Sequence, residues 1–447
     1  MQSVLLHEVE REASLGGVSL TQVAREFGTP LFVFSGDALR ARVDEFVTAF
    51  GSEWPHFELM PSLKACPIIG VRALLTKLDC GCDVFGPGEL EGALRAGVPP
   101  SRISVNGSIK DQEIIRKAIG LGARIVIDSP REASLVNRIA KDLSTVARVM
   151  LRLKPDLTDV QATSDFAPDL RIADLTQRIK YGIPNSELDD IAALWSTLDA
   201  IQLVGFHSHM GRHSKDLAVW QAWVSAIAKK LLTLEPLLGD VESPVVNIGG
   251  GFASTLDADL DVVNRSGQTP SLPEFAKAIC QSLREGLSDS KYNWSDWTLE
   301  IEPGRGLHSD TGLHLTTVRN LKNERSGAEQ RWAEVDTSEV FLDLHGVPDE
   351  CPLHFRCVSK RSADATTHYD VVGLTCNAEM LSLDTALPEL DIGDVLAIYP
   401  TGAYIEPMAA NFNALPRPGS VMIDQGKARL IKHHETVDDV FARDIIE

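Results

Sequence analysis

At 447 residues, 44% of them hydrophobic, the chain has enough apolar material for a large core and for two domains. Its 63 acidic against 43 basic residues give a formal net charge of -20, which argues against nucleic acid or an anionic membrane as partner and for a small molecule. Seven cysteines without a paired spacing fit a reducing compartment. With no signal-peptide pattern and no apolar run of membrane-spanning length, the expected location is the cytoplasm.

In chain order, the first strand-like run is Pro30–Phe34. Eight further short apolar runs then follow at His56–Ser62, Cys82–Phe85, Arg102–Asn106, Arg124–Asp128, Arg148–Leu153, Leu203–His209, Val245–Gly249 and Thr298–Glu302. Between them lie helical patterns at Ile68–Leu78, Gly88–Ala96, Gln112–Ile119, Pro130–Ile139, Leu217–Leu232 and Leu272–Leu283. Strands alternating with helices predict a parallel sheet, and eight of them suffice to close a (β/α)8 TIM barrel. Asp257–Thr269, mixed in polar and small residues, reads as a solvated loop. After Arg305 the helical windows thin out, and Tyr369–Leu374, Asp394–Ile398 and Ser420–Ile423 predict a second, mostly antiparallel β-domain. The expected division is a barrel over residues 36–308 and a β-domain over 1–35 plus 309–447, with the Pro30–Phe34 strand joining the latter.

The chemistry concentrates where these strands end. Gly249, Gly250 and Gly251 follow the seventh strand, and Glu302-Pro303-Gly304-Arg305 follows the eighth. Glycines let backbone N–H groups close around an anion, arginine supplies the matching charge, and the last two strands of such a barrel are a common phosphate site. Lys64 stands just beyond the first strand, where a partly desolvated amine can form a Schiff base, although a lysine taken alone is most often a solvated charge. Asp83 lies in the second strand and His209 ends the sixth. His207 and His209, two residues apart on a strand, share a face; stacking on a flat ligand, a core hydrogen bond and a metal ligand are all open readings, and no third ligand is evident, so no metal is expected.

The ordered set Lys64-Ala65-Cys66-Pro67, Cys82-Asp83-Val84 with Gly86-Pro87-Gly88-Glu89-Leu90, His207-Ser208-His209-Met210-Gly211, Gly249-Gly250-Gly251-Phe252, Glu302-Pro303-Gly304-Arg305, Cys376 and Gly402-Ala403-Tyr404 resembles the fold-type III pyridoxal-phosphate decarboxylases, the group of diaminopimelate and ornithine decarboxylases. The resemblance runs from about Pro30 to about Asn413. It implies a barrel that holds pyridoxal 5'-phosphate, a β-domain completing the site, and a homodimer with shared active sites. It further implies that Lys64 carries the cofactor, Glu302 faces the pyridine nitrogen, and His209 stacks on the ring, which Asp83 orients. Gly249, Gly250, Gly251, Arg305 and Tyr404 would bind the phosphate, and Cys376 would donate a proton in the opposite subunit's site. Arg152 and Glu89 fall where the family has polar site residues, with salt-bridged scaffolding as an equal account.

Departures from the family pattern bear on substrate. The Val335-Asp336-Thr337-Ser338-Glu339 run lacks the Arg-Pro that grips a distal carboxylate in diaminopimelate decarboxylases. Asn377 replaces the usual acid after the cysteine, with Glu379 nearby, and Arg212 replaces a phosphate-binding serine. Arg212, Asn377 and Glu379 are therefore the candidate substrate contacts, for a diamino acid or a conjugate bearing extra carboxylates. The leading expectation is α-decarboxylation of an amino acid in biosynthesis. The alternatives are a racemase or epimerase on the same fold, which Glu302 disfavours because such enzymes set arginine at the pyridine nitrogen, and a non-catalytic homologue, which the retained Lys64, glycines and Arg305 disfavour.

Overall fold

The computed structural model describes residues 4–164, 167–211, 214–254, 269–324, 330–343, 353–361, 363–378 and 380–446. The chain divides into two compact units, one built on Arg42–Ala253 and Ser266–Gly304, the other on Met1–Ala41 and Arg305–Glu447.

In the first unit eight parallel strands run in the order Phe57–Leu59, Thr298–Ile301, Val245–Asn247, Ile201–His207, Ala147–Arg152, Arg124–Ile127, Ile103–Val105 and Cys82–Val84. Closure comes where the first strand meets the second: the Gly81 N–H donates to the Leu59 carbonyl (2.9 Å), the Asp83 N–H donates to that of Pro61 (3.3 Å), and Ser62 bridges Asp83 in parallel. The sheet is thus the expected (β/α)8 barrel. Its strands are largely buried, and Val126, Met150, Val204 and Val245 form one apolar cluster among them, while Ser104, Arg124, Asn247 and Glu300 are buried polar exceptions.

The crossover helices start where local chemistry dictates. Ser129 accepts the Glu132 N–H ahead of Pro130–Asp142, Asp111 accepts the Ile114 N–H ahead of Gln112–Leu121, and Asp216 accepts the Ala218 N–H ahead of Leu217–Leu234. Further helices at Gly36–Gly51, Ile172–Arg178 and Leu188–Trp195 fill the longer connections. Asp257–Thr269, read as a loop, lies outside the described residues except for Thr269.

The second unit is a nine-stranded sheet. Gly312–Glu324 is its hub, pairing antiparallel with Leu31–Ser35, Gln330–Val335 and Val395–Tyr399. Two of its pairings are parallel, Gln330–Val335 with Thr367–Val372 and Leu31–Ser35 with Gly419–Asp424; the remaining ladders are antiparallel. The early strand therefore does join the β-domain. Its Leu31 and Val33 are buried with Leu313, Leu315, Ala397, Tyr399, Val421 and Ile423 in one apolar cluster.

Six of the barrel strands are shorter than their apolar runs in the sequence, Ala147–Arg152 and Ile201–His207 match theirs in length but begin one and two residues earlier, and every run oversteps its strand at the carboxyl end. Asn106, Asp128, His209, Gly249 and Glu302 lie one or two residues past the ends of their strands, and Ser62 lies three past its own, at the bridge to Asp83. The apolar pattern continues there while the ladder stops, because these backbones turn away to present side chains at the barrel mouth.

Candidate active site

A continuous hydrogen-bonded chain of polar side chains crosses the carboxyl end of the barrel. Lys64 lies in a single 3-10 turn, Leu63–Ala65, directly after the first strand; its Nζ donates to Ser62 Oγ (2.5 Å) and faces Asp83 Oδ2 at 3.4 Å. Ser62 Oγ donates to the same carboxylate oxygen (2.5 Å). Asp83 is buried, while the lysine side chain is 41% exposed, so the amine is held from below by a carboxylate and remains reachable from above. Asn106 Nδ2 then bridges Asp83 Oδ1 (2.6 Å) and Glu302 Oε1 (3.3 Å). Lys64 and Glu302, which follow the first and the eighth strands, are joined through two side chains, Asp83 and Asn106.

Glu302 is the most tightly held group. Asn247 Nδ2 donates to its Oε1 (2.9 Å) and to Glu300 Oε2 (2.9 Å), while His207 Nε2 stands 3.2 Å from its Oε2. Glu300 is itself neutralised by Arg124, whose Nη2 reaches both carboxylate oxygens at 2.7 and 2.5 Å. Complete burial pushes the Glu302 carboxyl up to about 7, against the downward pull of Lys64 and Arg152. It is poised to pair with a cation.

On the adjoining side, the glycine triplet forms a cradle. The Gly250 N–H donates to His209 Nδ1 (3.0 Å), which fixes that nitrogen as an acceptor, and the Gly249 N–H donates to Asn247 Oδ1 (2.8 Å). A Cβ on Gly250 would fall 2.3 Å from the Glu302 carbonyl oxygen; one on Gly251, whose φ is +109°, would fall 2.1 Å from that of Gly211. The far end of the cradle is anchored by Phe252, stacked on Trp220 with ring centroids 5.0 Å apart and set edge-on to Phe46 at 5.7 Å. Gly250→Ala is expected to weaken cofactor binding roughly ten- to hundred-fold, the cost of one forced backbone shift. Titrating the stripped variant while following the visible absorbance of bound cofactor checks this.

Other expected site residues sort by unit. In the β-domain, Tyr404 (φ +66°) lies beneath the Arg305 guanidinium, 5.1 Å from ring centroid to Cζ. Cys376, alone exposed among the six described cysteines, is held by Asn413, whose Oδ1 accepts the Cys376 N–H (3.0 Å) and whose Nδ2 reaches Sγ at 3.4 Å. Asn377 Nδ2 donates to Glu339 Oε1 (2.8 Å). Arg212 and Glu379 lie outside the described residues. In the barrel, Glu89 accepts the Phe85 N–H (2.8 Å), and Arg152 stacks on Tyr181 at 4.6 Å beside Asp128, 3.9 Å from its Nε.

Sequence reasoning passed over Ser62, Asn106 and Asn247, and left His207 undecided. Their signal was available: each is a polar residue at the end of an otherwise apolar strand, where a buried hydrogen-bonding group needs a reason. The two histidines part company, His207 going to Glu302 and His209 to the Gly250 N–H.

An amine backed by a carboxylate, a buried acid across the mouth and a glycine cradle between them fit pyridoxal phosphate: aldehyde, ring nitrogen and phosphate each meet a complementary group. Residues 37–309 match the family described as "Pyridoxal-dependent decarboxylase, pyridoxal binding domain". The chain belongs to this family. Diaminopimelate decarboxylase of Bacillus subtilis (strain 168) is 29% identical over 461 residues, covering 99% of this chain and 98% of that one. The Haemophilus influenzae enzyme of the same name is 28% identical, covering 94% of each. The crystal structure of diaminopimelate decarboxylase from M. jannaschi superposes with a TM-score of 0.83 at 26% identity, covering 96% of this chain and 95% of that one. This pyridoxal-dependent decarboxylase is thus a carboxy-lyase acting on an amino acid, with pyridoxal 5'-phosphate as cofactor. Among the described residues no helix is long and apolar enough to cross a membrane.

Proposed function

We propose that the enzyme removes the α-carboxyl group of a diamino acid, with diaminopimelate as the first candidate. The observation that carries this reading is the match over nearly the whole chain to curated diaminopimelate decarboxylases. When bound, pyridoxal phosphate supplies a carbonyl that condenses with an amino group and a ring that withdraws electrons from it.

The residues have the following roles in this reading. Lys64 Nζ holds the cofactor until the substrate amine displaces it, and Asp83 and Ser62 orient that nitrogen. Glu302 holds a proton on the pyridine nitrogen. His209 presents its ring to the cofactor face, held by the Gly250 N–H. Gly249, Gly250 and Gly251, which carry no Cβ, let the phosphate come close to the backbone, with Arg305 adding charge and Tyr404 a phenol. Cys376 Sγ supplies the proton that replaces the lost carboxyl group, acting in the site of the other subunit of a homodimer. Mixing inactive Cys376→Ala subunits with inactive Lys64→Ala subunits should then restore activity through heterodimers carrying one intact site. Verified subunit exchange with no regain would remove the shared site.

A second reading, a larger conjugate with extra carboxylates, is favoured by one observation. Asn377 stands where the family usually has an acid, and its amide is engaged by Glu339. A neutral amide lacks the negative charge with which an acid would pair a distal ammonium. A panel of diaminopimelate, lysine, ornithine and acidic diamino-acid conjugates, scored by carbon dioxide release and the mass of the amine, decides between them. Turnover of a conjugate with none of the free diamino acids would overturn the first reading.

A further inference from the structure

The buried contact between His207 and Glu302 has no part in the roles above. His207 ends the sixth barrel strand, is 1% exposed, and places Nε2 3.2 Å from Glu302 Oε2. Its other ring nitrogen, Nδ1, is buried and finds no hydrogen-bond partner among the described residues. Burial keeps the imidazole neutral, holding it well below its ordinary range. A neutral imidazole carries one N–H, and because Asn247 and Asn106 both donate to Oε1 an acid proton on Glu302 belongs on Oε2, so two arrangements remain. In the first, Nε2–H donates to an ionised Glu302 and Nδ1 is an idle acceptor. In the second, a protonated Glu302 donates to Nε2, and the ring's N–H sits on Nδ1, buried with nothing to receive it. An orphaned buried N–H is the costlier of the two, and it is the arrangement folded proteins avoid most. The partnerless nitrogen therefore selects the first arrangement.

Resting on the proposed role of Glu302 opposite the pyridine nitrogen, we propose that His207 is a positioning residue: it donates Nε2–H to Oε2 and so fixes both the orientation and the ionised form of that carboxylate. The remaining donors on Glu302, Asn247 and Asn106, both address Oε1. His207 is thus the described donor that governs the second oxygen and stops the carboxylate from turning about its Cγ–Cδ bond. The charged groups around the pair largely offset one another: Lys64, Arg124 and Arg152 on one side, Asp83 and Glu300 on the other, one cation in excess. No single neighbour supplies what the imidazole does. Burial by itself favours the neutral acid, and an acid that keeps its own proton has none of the negative charge a ring N–H needs opposite it.

Protein stripped of cofactor reports this without any turnover. Infrared difference spectra across pH 5 to 9, with Glu302→Gln marking the band, follow protonation of the Glu302 carboxyl. His207→Leu, which fills the space without a donor, is expected to raise the midpoint by roughly one to two pH units, the worth of one hydrogen bond to a charged group. His207→Gln, which keeps an N–H donor, is expected to restore much of it. Folded His207→Leu protein with an unmoved midpoint, or folded His207→Gln no better than leucine, would overturn the assignment. Should His207→Leu not fold, the ¹⁵N resonances of wild-type His207 at pH 8 decide: a proton on Nε2 supports the proposal and one on Nδ1 overturns it. Loss of the Glu302 role itself would be seen separately, as a cofactor-loaded Glu302→Gln enzyme with unchanged kcat.

Discussion

Glu302→Gln is expected to bind cofactor and to lose about 10²- to 10³-fold in kcat, the usual cost of removing one preorganised electrostatic contact from a water-excluded site. Glutamine keeps the shape and the acceptor oxygen that Asn247 and Asn106 address, so the barrel mouth survives while the negative charge goes. The same substitution should change the pH dependence of stability in cofactor-stripped protein. Burial raises the carboxyl from 4.5 in the unfolded chain to about 7 in the fold. Below pH 4.5 both states hold the proton and the acid costs nothing. As pH rises towards 7 the unfolded chain releases a proton that the folded one keeps, and above 7 the folded protein carries a buried charge. The penalty of about 3 kcal/mol thus develops between these values and is full above them. Stripped Glu302→Gln should melt at a higher temperature than stripped wild type at pH 8 and at nearly the same temperature at pH 5. An equal gap at both values would show that Glu302 is not the titrating group.

Lys64→Ala is expected to abolish the visible absorbance that travels with the protein on gel filtration and to lower kcat by at least roughly 10³-fold, because the group that holds and releases the cofactor is gone. Borohydride reduction of the wild-type enzyme, followed by peptide mapping, should mark the Ser62–Pro67 peptide. One competing amine in this barrel is Lys110, whose side chain is fully buried. Its Nζ pairs with Glu132 Oε1 at 2.9 Å and also donates to the carbonyls of Val126 and Gly107. All three ammonium protons are committed to scaffold acceptors, leaving no lone pair to attack a carbonyl. Label on the Lys110 peptide would refute the assignment.

Much of this was legible in the sequence, and the reason is physical. Barrel strands buried on both faces read as apolar runs without a partner in view, and Gly249-Gly250-Gly251 admits no side chain where two carbonyls approach within 2.3 Å of a would-be Cβ. Lys64 and Glu302 were found because reactive groups stood at strand ends. What escaped was the layer behind them. Asn106, Asn247 and His207 act by touching other side chains, across 196, 55 and 95 residues of sequence from Glu302, and a one-dimensional pattern does not record which two strand ends become neighbours. Strand ends were overrun for a related reason, since hydropathy continues past the point where the ladder stops. The departures at Asn377 and in the Val335–Glu339 run remain the places where this chain differs from the family pattern, and the Asn377–Glu339 pair gives one of them a partner.

The strand Leu31–Ser35 lies between Gly312–Glu324 and Gly419–Asp424. During synthesis on the ribosome this segment emerges early, with both its neighbours still unmade. The catalytic barrel can be translated in full before the first neighbour appears, and the second follows only near the end of translation. Until then a run of five buried residues, four of them apolar, is an open edge looking for a mate. Nascent chains halted before residue 419 should therefore lean on chaperones far more than those released at full length.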